Sequence, residues 1–135
     1  MKKTFISLIA ALAIICFTGN IAVAQQQQPQ QQQVNIKPIM LVDYLVFAAN
    51  ALQTIDIQGS EVDAFLLCQQ TLGNEVQKCV DQKKLVTDQI TFDIRLDVAQ
   101  TIVAFLGRAK LLGSDAIKYK GFVNAFAEAA QKIGR

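Results

Sequence analysis

The chain has 135 residues, 52% of them hydrophobic, with 13 Lys or Arg against 11 Asp or Glu. It holds no histidine, which removes the commonest general base and one partner of any Ser-His or Cys-His arrangement. The near-balance of charge disfavours non-specific nucleic-acid binding, which relies on a basic surface.

Lys2-Lys3, the apolar run from Phe5 to Phe17 and the small residues Ala22-Val23-Ala24 before Gln25 have the pattern of a secretory signal peptide over residues 1–24. The run is shorter than the ~20 residues that a spanning helix needs. Cys16 follows the bulky Ile15 rather than a small residue, so a lipid-anchored cysteine is the weaker reading. Cleavage near Ala24 predicts a periplasmic or secreted protein. Losing Lys2 and Lys3 lowers the basic count from 13 to 11, equal to the acidic count, so the exported chain is near neutral. Residues 25–34 are glutamine-rich, broken by Pro29, and read as a disordered tether with nothing to bury. A single helical domain is expected over 35–135.

Pro38 suits a first helical turn, and from Ile39 to Leu52 every residue is apolar except Asp43, Tyr44 and Asn50. This predicts a first helix that is apolar nearly all round, which is either central to the core or covered by a partner. Asp43 and Asn50 share one stripe, and Phe47 borders it. Asp43, Tyr44, Phe47 and Asn50 are therefore interaction candidates, with a second copy of the chain as the simplest cover. Residues 54–59 read as an extended connector.

Ser60 with Asp63 resembles a capped helix start, and Gly73-Asn74 reads as one helix stopping and the next being capped. The result is a helical hairpin in which Cys68 and Cys79 lie five residues from either side of the turn, at matching heights. In an oxidising compartment these two form a disulfide. Without a turn at Gly73-Asn74 they stand roughly 16 Å apart along one helix and cannot bond. Two thiolates with no histidine fall short of a metal site, and no cofactor motif is present.

Residues 89–98 carry two signals. Ile90, Phe92, Ile94, Leu96 and Val98 alternate with polar residues as in a strand, yet Phe92, Leu96, Ala99, Val103 and Leu106 follow a helical spacing. With no second convincing strand to pair with, helix is favoured and a lone strand near 90–96 is the alternative. Residues 100–112 are expected to be helical, ended by Gly113, and a last helix repeats Phe122, Phe126, Ala129 and Ile133. The fold class so predicted is all-α, a bundle of four to five helices with one disulfide-stapled hairpin.

Arg108, Lys110, Lys118 and Lys120 gather around the Gly113 turn and predict a basic end, able to meet an acidic protein or an anionic membrane surface. In combining an export signal, a helical body and one disulfide, the chain resembles many small envelope proteins, acid-stress chaperones and toxin-immunity proteins among them. That likeness transfers no functional residue. The leading expectation is a non-catalytic envelope protein that binds another protein, as accessory subunit, inhibitor or chaperone. A peripheral membrane or lipid-binding protein is the runner-up, and an enzyme without histidine the weakest reading.

Overall fold

The computed structural model describes residues 33–134; the expected signal peptide, and the expected tether up to Gln32, lie outside the described residues. In chain order the elements are β1 (Asn35–Ile36), β2 (Ile39–Leu41), α1 (Val42–Leu52), a 3-10 turn (Gly59–Glu61), α2 (Val62–Asp81), β3 (Gln89–Thr91), β4 (Ile94–Arg95), α3 (Leu96–Leu106), a second 3-10 turn (Gly113–Asp115) and α4 (Ala116–Gln131). The fold is mostly helical with a small β component, not the all-α bundle expected.

The β component is one antiparallel ribbon in two pieces. β1 pairs with β4 through Asn35↔Arg95 and Ile36↔Ile94, and β2 with β3 through Ile39↔Thr91, Met40↔Ile90 and Leu41↔Gln89. The register runs through both pieces without a slip, and bonds from Leu96 N–H to Val34 O and from Val42 N–H to Asp88 O extend it at either end. Where the register sets Pro38 against Phe92 the ladder breaks, because proline has no N–H to donate. Ile36, Pro38, Met40 and Val42 alternate inward, as do Phe92 and Ile94, while Asn35, Lys37 and Ile39 face solvent. The strand alternation in 89–98 therefore has a partner after all. It lies in Asn35–Leu41, a stretch whose Pro38 and apolar run imitate a helix start.

Moving Ile39–Leu41 into a strand shortens the first helix to α1. Leu45, Ala48 and Leu52 on it are fully buried, and it packs against α2, α4 and α3. The apolar surplus of this segment thus goes into the core and the ribbon.

The Cys68–Cys79 hairpin is overturned. α2 runs unbroken through Gly73 and Asn74, and both cysteines are free and buried. Phe65, Cys68, Leu72, Val76 and Cys79 recur at spacings of three, four, four and three, a single stripe laid on the core. Burying that stripe outweighs the roughly 1 kcal/mol that a glycine costs within a helix. Eleven residues of helix then hold the sulfurs roughly 16 Å apart in height, far beyond disulfide reach.

Both 3-10 turns open the helices that follow in the same way. The Glu61 carboxylate accepts from Gln58 N–H at 2.9 Å, and that of Asp115 from Leu112 N–H at 3.2 Å. The cap before α2 thus lies at Gln58 rather than Ser60. Strands replace the helix favoured over residues 89–95, so α3 begins only at Leu96, and it stops at Gly107, six residues before the expected stop at Gly113. Phe65 meets Phe105 edge-on at 5.4 Å, and Phe126 meets Phe122 at 4.6 Å and Phe92 at 6.4 Å, so the ribbon, α2, α3 and α4 share one core.

Candidate functional site

An open cleft of about 330 Å³ lies between α1 and the segment that leads from α3 into α4. Its walls include Asp43, Phe47 and Asn50 from α1 and Lys110, Asp115 and Lys118 from the other side. Two groups of residues picked out separately along the chain, the polar stripe of the first helix and the basic end, therefore meet in one place.

Asp43 ties this place together. Its backbone N–H donates to Val86 O at 3.0 Å, and its carboxylate accepts from Lys118 Nζ at 3.0 Å. The ion pair is about one-third exposed on both sides, so its worth is at the modest end for such pairs. Asp115, the other acid on the wall, is engaged by Leu112 N–H. Lys110 makes no ion pair among the described residues. Phe47 is half-buried, one side on the core and the other on the cleft. The arrangement is a cleft of mixed polar and apolar lining, with both carboxylates engaged and the Lys110 ammonium unpaired among the described residues.

The remaining candidates do other work. Tyr44 faces away from the cleft and packs on Gly121 of α4. Arg108 donates to Glu61 Oε1 at 2.8 Å and to Asp56 O at 2.6 Å, with its guanidinium 5.7 Å from the Phe105 ring centre. It fastens the connector before α2 to the end of α3. The backbone N–H of Gln58, and then the Arg108 guanidinium, hold the Glu61 carboxyl below its ordinary value. Lys120 is exposed one turn into α4.

Two further concavities flank α3. A broad one of about 730 Å³ is lined by Glu61, Asp97 and Arg108 among others, and an apolar groove of about 310 Å³ between α3 and α4 has Ala99, Val103 and Phe126 in its walls. In the first, Arg95 bonds to Asp97 and holds its carboxyl below the usual range. Burial pushes the Cys68 thiol up to about 11 and raises that of Cys79 as well, which keeps both protonated and poorly nucleophilic. Among the described residues no group of three or more His, Cys, Asp or Glu is placed to hold a metal ion, and no helix is long and apolar enough to cross a membrane.

Residue patterns did not single out Leu112 and Ile117, which lie on either side of Asp115 in the sequence and have 72% and 75% of their surface exposed. No family model matches the chain, and neither the curated proteins nor the solved structures contain a match.

Proposed function

We propose that this is an exported, non-catalytic protein of the cell envelope that works by holding a segment of another protein in the cleft between α1 and α4. The observation that carries the reading is the meeting of Asp43, Phe47, Asn50, Lys110 and Lys118 around one cavity. A concavity on which an aromatic ring and several charged and polar groups converge is a place where a partner can be recognised, and a half-buried aromatic flanked by charge is a common interface anchor. Export rests on the Lys2-Lys3, apolar-run and Ala22-Val23-Ala24 pattern. The membrane reading drew on the basic end and on an apolar first helix; the helix is spent on the core, so that reading keeps only half its support.

A photo-crosslinking side chain at Asn50, exposed at the cleft, tests this against the same group at Gln77, exposed on α2 outside it. In cells, adducts to a second protein are expected from position 50 and not from 77. Adducts from both positions, or from neither, overturn the reading.

A further inference from the structure

Between the end of α1 at Leu52 and the 3-10 turn at Gly59 the chain has no regular structure. The N–H groups of Thr54 and Ile55 turn back to Ala51 O and Leu52 O, so they tie this stretch to α1 alone. Ile55 and Ile57 rest half-buried on the core. Among the described residues, the hydrogen bonds from residues 53–61 to distant parts of the fold all come from Arg108. Its guanidinium donates to Asp56 O at 2.6 Å and to Glu61 Oε1 at 2.8 Å.

Glu61 holds both ends of this arrangement with one carboxylate. Oε2 accepts from Gln58 N–H at 2.9 Å and closes the last turn of the stretch, while Oε1 accepts from Arg108 and binds that turn to the end of α3. Both bonds are charge-assisted, and such bonds weaken when the acceptor loses its charge. The Arg108 guanidinium then keeps only Asp56 O. A segment with two half-buried side chains and no ladder of backbone bonds belongs to the low-stability end of a fold, so a change at one carboxylate is enough to move it.

The surroundings give Glu61 no second cation. Asp56 lies in the same stretch, Asp63 stands two residues on in α2, and Asp97 on α3 shares the wall of the broad concavity, where Arg95 bonds to it. Arg108 alone pairs with Glu61.

We infer that residues 53–61 are an acid-released strap: neutralising Glu61 loosens it from the end of α3 and uncovers Ile55 and Ile57. This is independent of the cleft between α1 and α4. In the closed form Gln58 N–H first, and then Arg108, hold the Glu61 carboxyl below its ordinary value. In the loosened form it returns toward about 4.3. Closure is therefore favoured in full above that ordinary value and is lost as pH falls through the lowered one. Acidity is converted into exposed apolar surface.

Isoleucine methyl NMR of the folded protein tests this, with the fully buried Ile102 as internal control. As pH falls from 7, the Ile55 and Ile57 signals are expected to shift with a midpoint below about 4.3, while Ile102 stays in place. Glu61→Gln keeps the size of the side chain and removes its charge. At pH 7 its Ile55 and Ile57 signals are expected at the acid positions of wild type, and to move no further on acidification. Asp56→Asn, Asp63→Asn and Asp97→Asn are expected to titrate as wild type does. Wild-type positions in Glu61→Gln at pH 7 overturn the inference. So does a wild-type strap that moves only together with Ile102, because acid then unfolds the whole domain. If the titration disappears in one of the aspartate variants and persists in Glu61→Gln, another carboxylate controls the strap and the inference fails.

Discussion

The ring of Tyr44 on α1 fills the space where a side chain at Gly121 of α4 would begin. A β-carbon there stands 2.7 Å from Cζ and 2.8 Å from Cδ2 of that ring, far inside van der Waals contact. This glycine is the point at which α1 and α4 approach one another, one turn from the Asp43–Lys118 pair at the cleft. Alanine favours a helix interior over glycine by about 1 kcal/mol, but here it must displace an aromatic ring, at roughly 1 to 3 kcal/mol. Gly121→Ala is therefore expected to lower the urea midpoint. Gly73→Ala, with nothing within 4 Å of its β-carbon, is expected to raise stability by about 0.5 to 1 kcal/mol. Equal shifts of the same sign would show that the Tyr44 contact is not tight.

At the end of α2, Lys83 has φ of 52°, a conformation in which a β-carbon is crowded. Lys83 N–H bonds to Val80 O and Lys84 N–H to Cys79 O, both at 2.9 Å, the paired bonds of a Schellman motif with lysine in the glycine position. Removing its side chain takes away the strain and leaves both bonds in place. Lys83→Gly is expected to raise unfolding free energy by about 1 kcal/mol, read as a higher urea midpoint with unchanged slope. A loss of stability would mean that the lysine side chain is making a compensating contact.

The unbroken α2 predicts that Cys68 and Cys79 are alkylated without prior reduction once the protein is denatured, each recovered as a modified peptide. Both are buried and keep their protons in the native state, so modification of the folded protein is expected to be slow even at pH 9. The sign for stability follows from the raised thiol of Cys68. Folding holds it protonated up to about 11, while in the unfolded chain it ionises near its ordinary value of about 8.5. Its contribution is full below that ordinary value and is lost as pH rises toward 11. Recovery of a Cys68–Cys79 crosslinked peptide would refute the continuous helix.

The stripes were legible in the residues and the breaks were not. Phe122, Phe126 and Ala129 are buried as their spacing demands, whereas Ile133 of the same stripe lies past the end of α4 and is 46% exposed. The stripe Phe65, Cys68, Leu72, Val76, Cys79 was equally regular, yet Gly73-Asn74 in its middle read as a stop. Local punctuation gives way where a continuous apolar face has a core to lie on. The ribbon was hidden for the opposite reason: its first strand carries Pro38 and runs into apolar α1, so two short elements imitate one long helix, and pairing with residues 89–95 is a long-range event. At the site, Phe47, Asp43, Asn50, Lys110 and Lys118 were each picked out from local pattern. Their meeting was not, because it depends on α4 crossing α1 at Gly121.

The ribbon register gives the most demanding test of the fold. Leu96 donates to Val34, so those residues form a hydrogen-bonded pair, and the next pair along, Asn35 and Arg95, is a non-hydrogen-bonded one. Such pairs bring their Cα atoms to about 4.5 Å, within the range a disulfide accepts, and both side chains are exposed. The double variant Asn35→Cys, Arg95→Cys is therefore expected to oxidise readily and to leave Cys68 and Cys79 reduced in the core. Closing a loop of about sixty residues removes enough unfolded-state freedom to add about 4 kcal/mol. Losing the exposed Arg95–Asp97 pair returns at most about 1 kcal/mol of that. Moving one cysteine two positions along, as Asn35→Cys with Asp93→Cys, keeps both on the outer face but sets them diagonally, roughly 7 to 8 Å apart, where a bond demands distortion. Faster oxidation of the second variant than of the first would show that the strands pair in a register shifted by two.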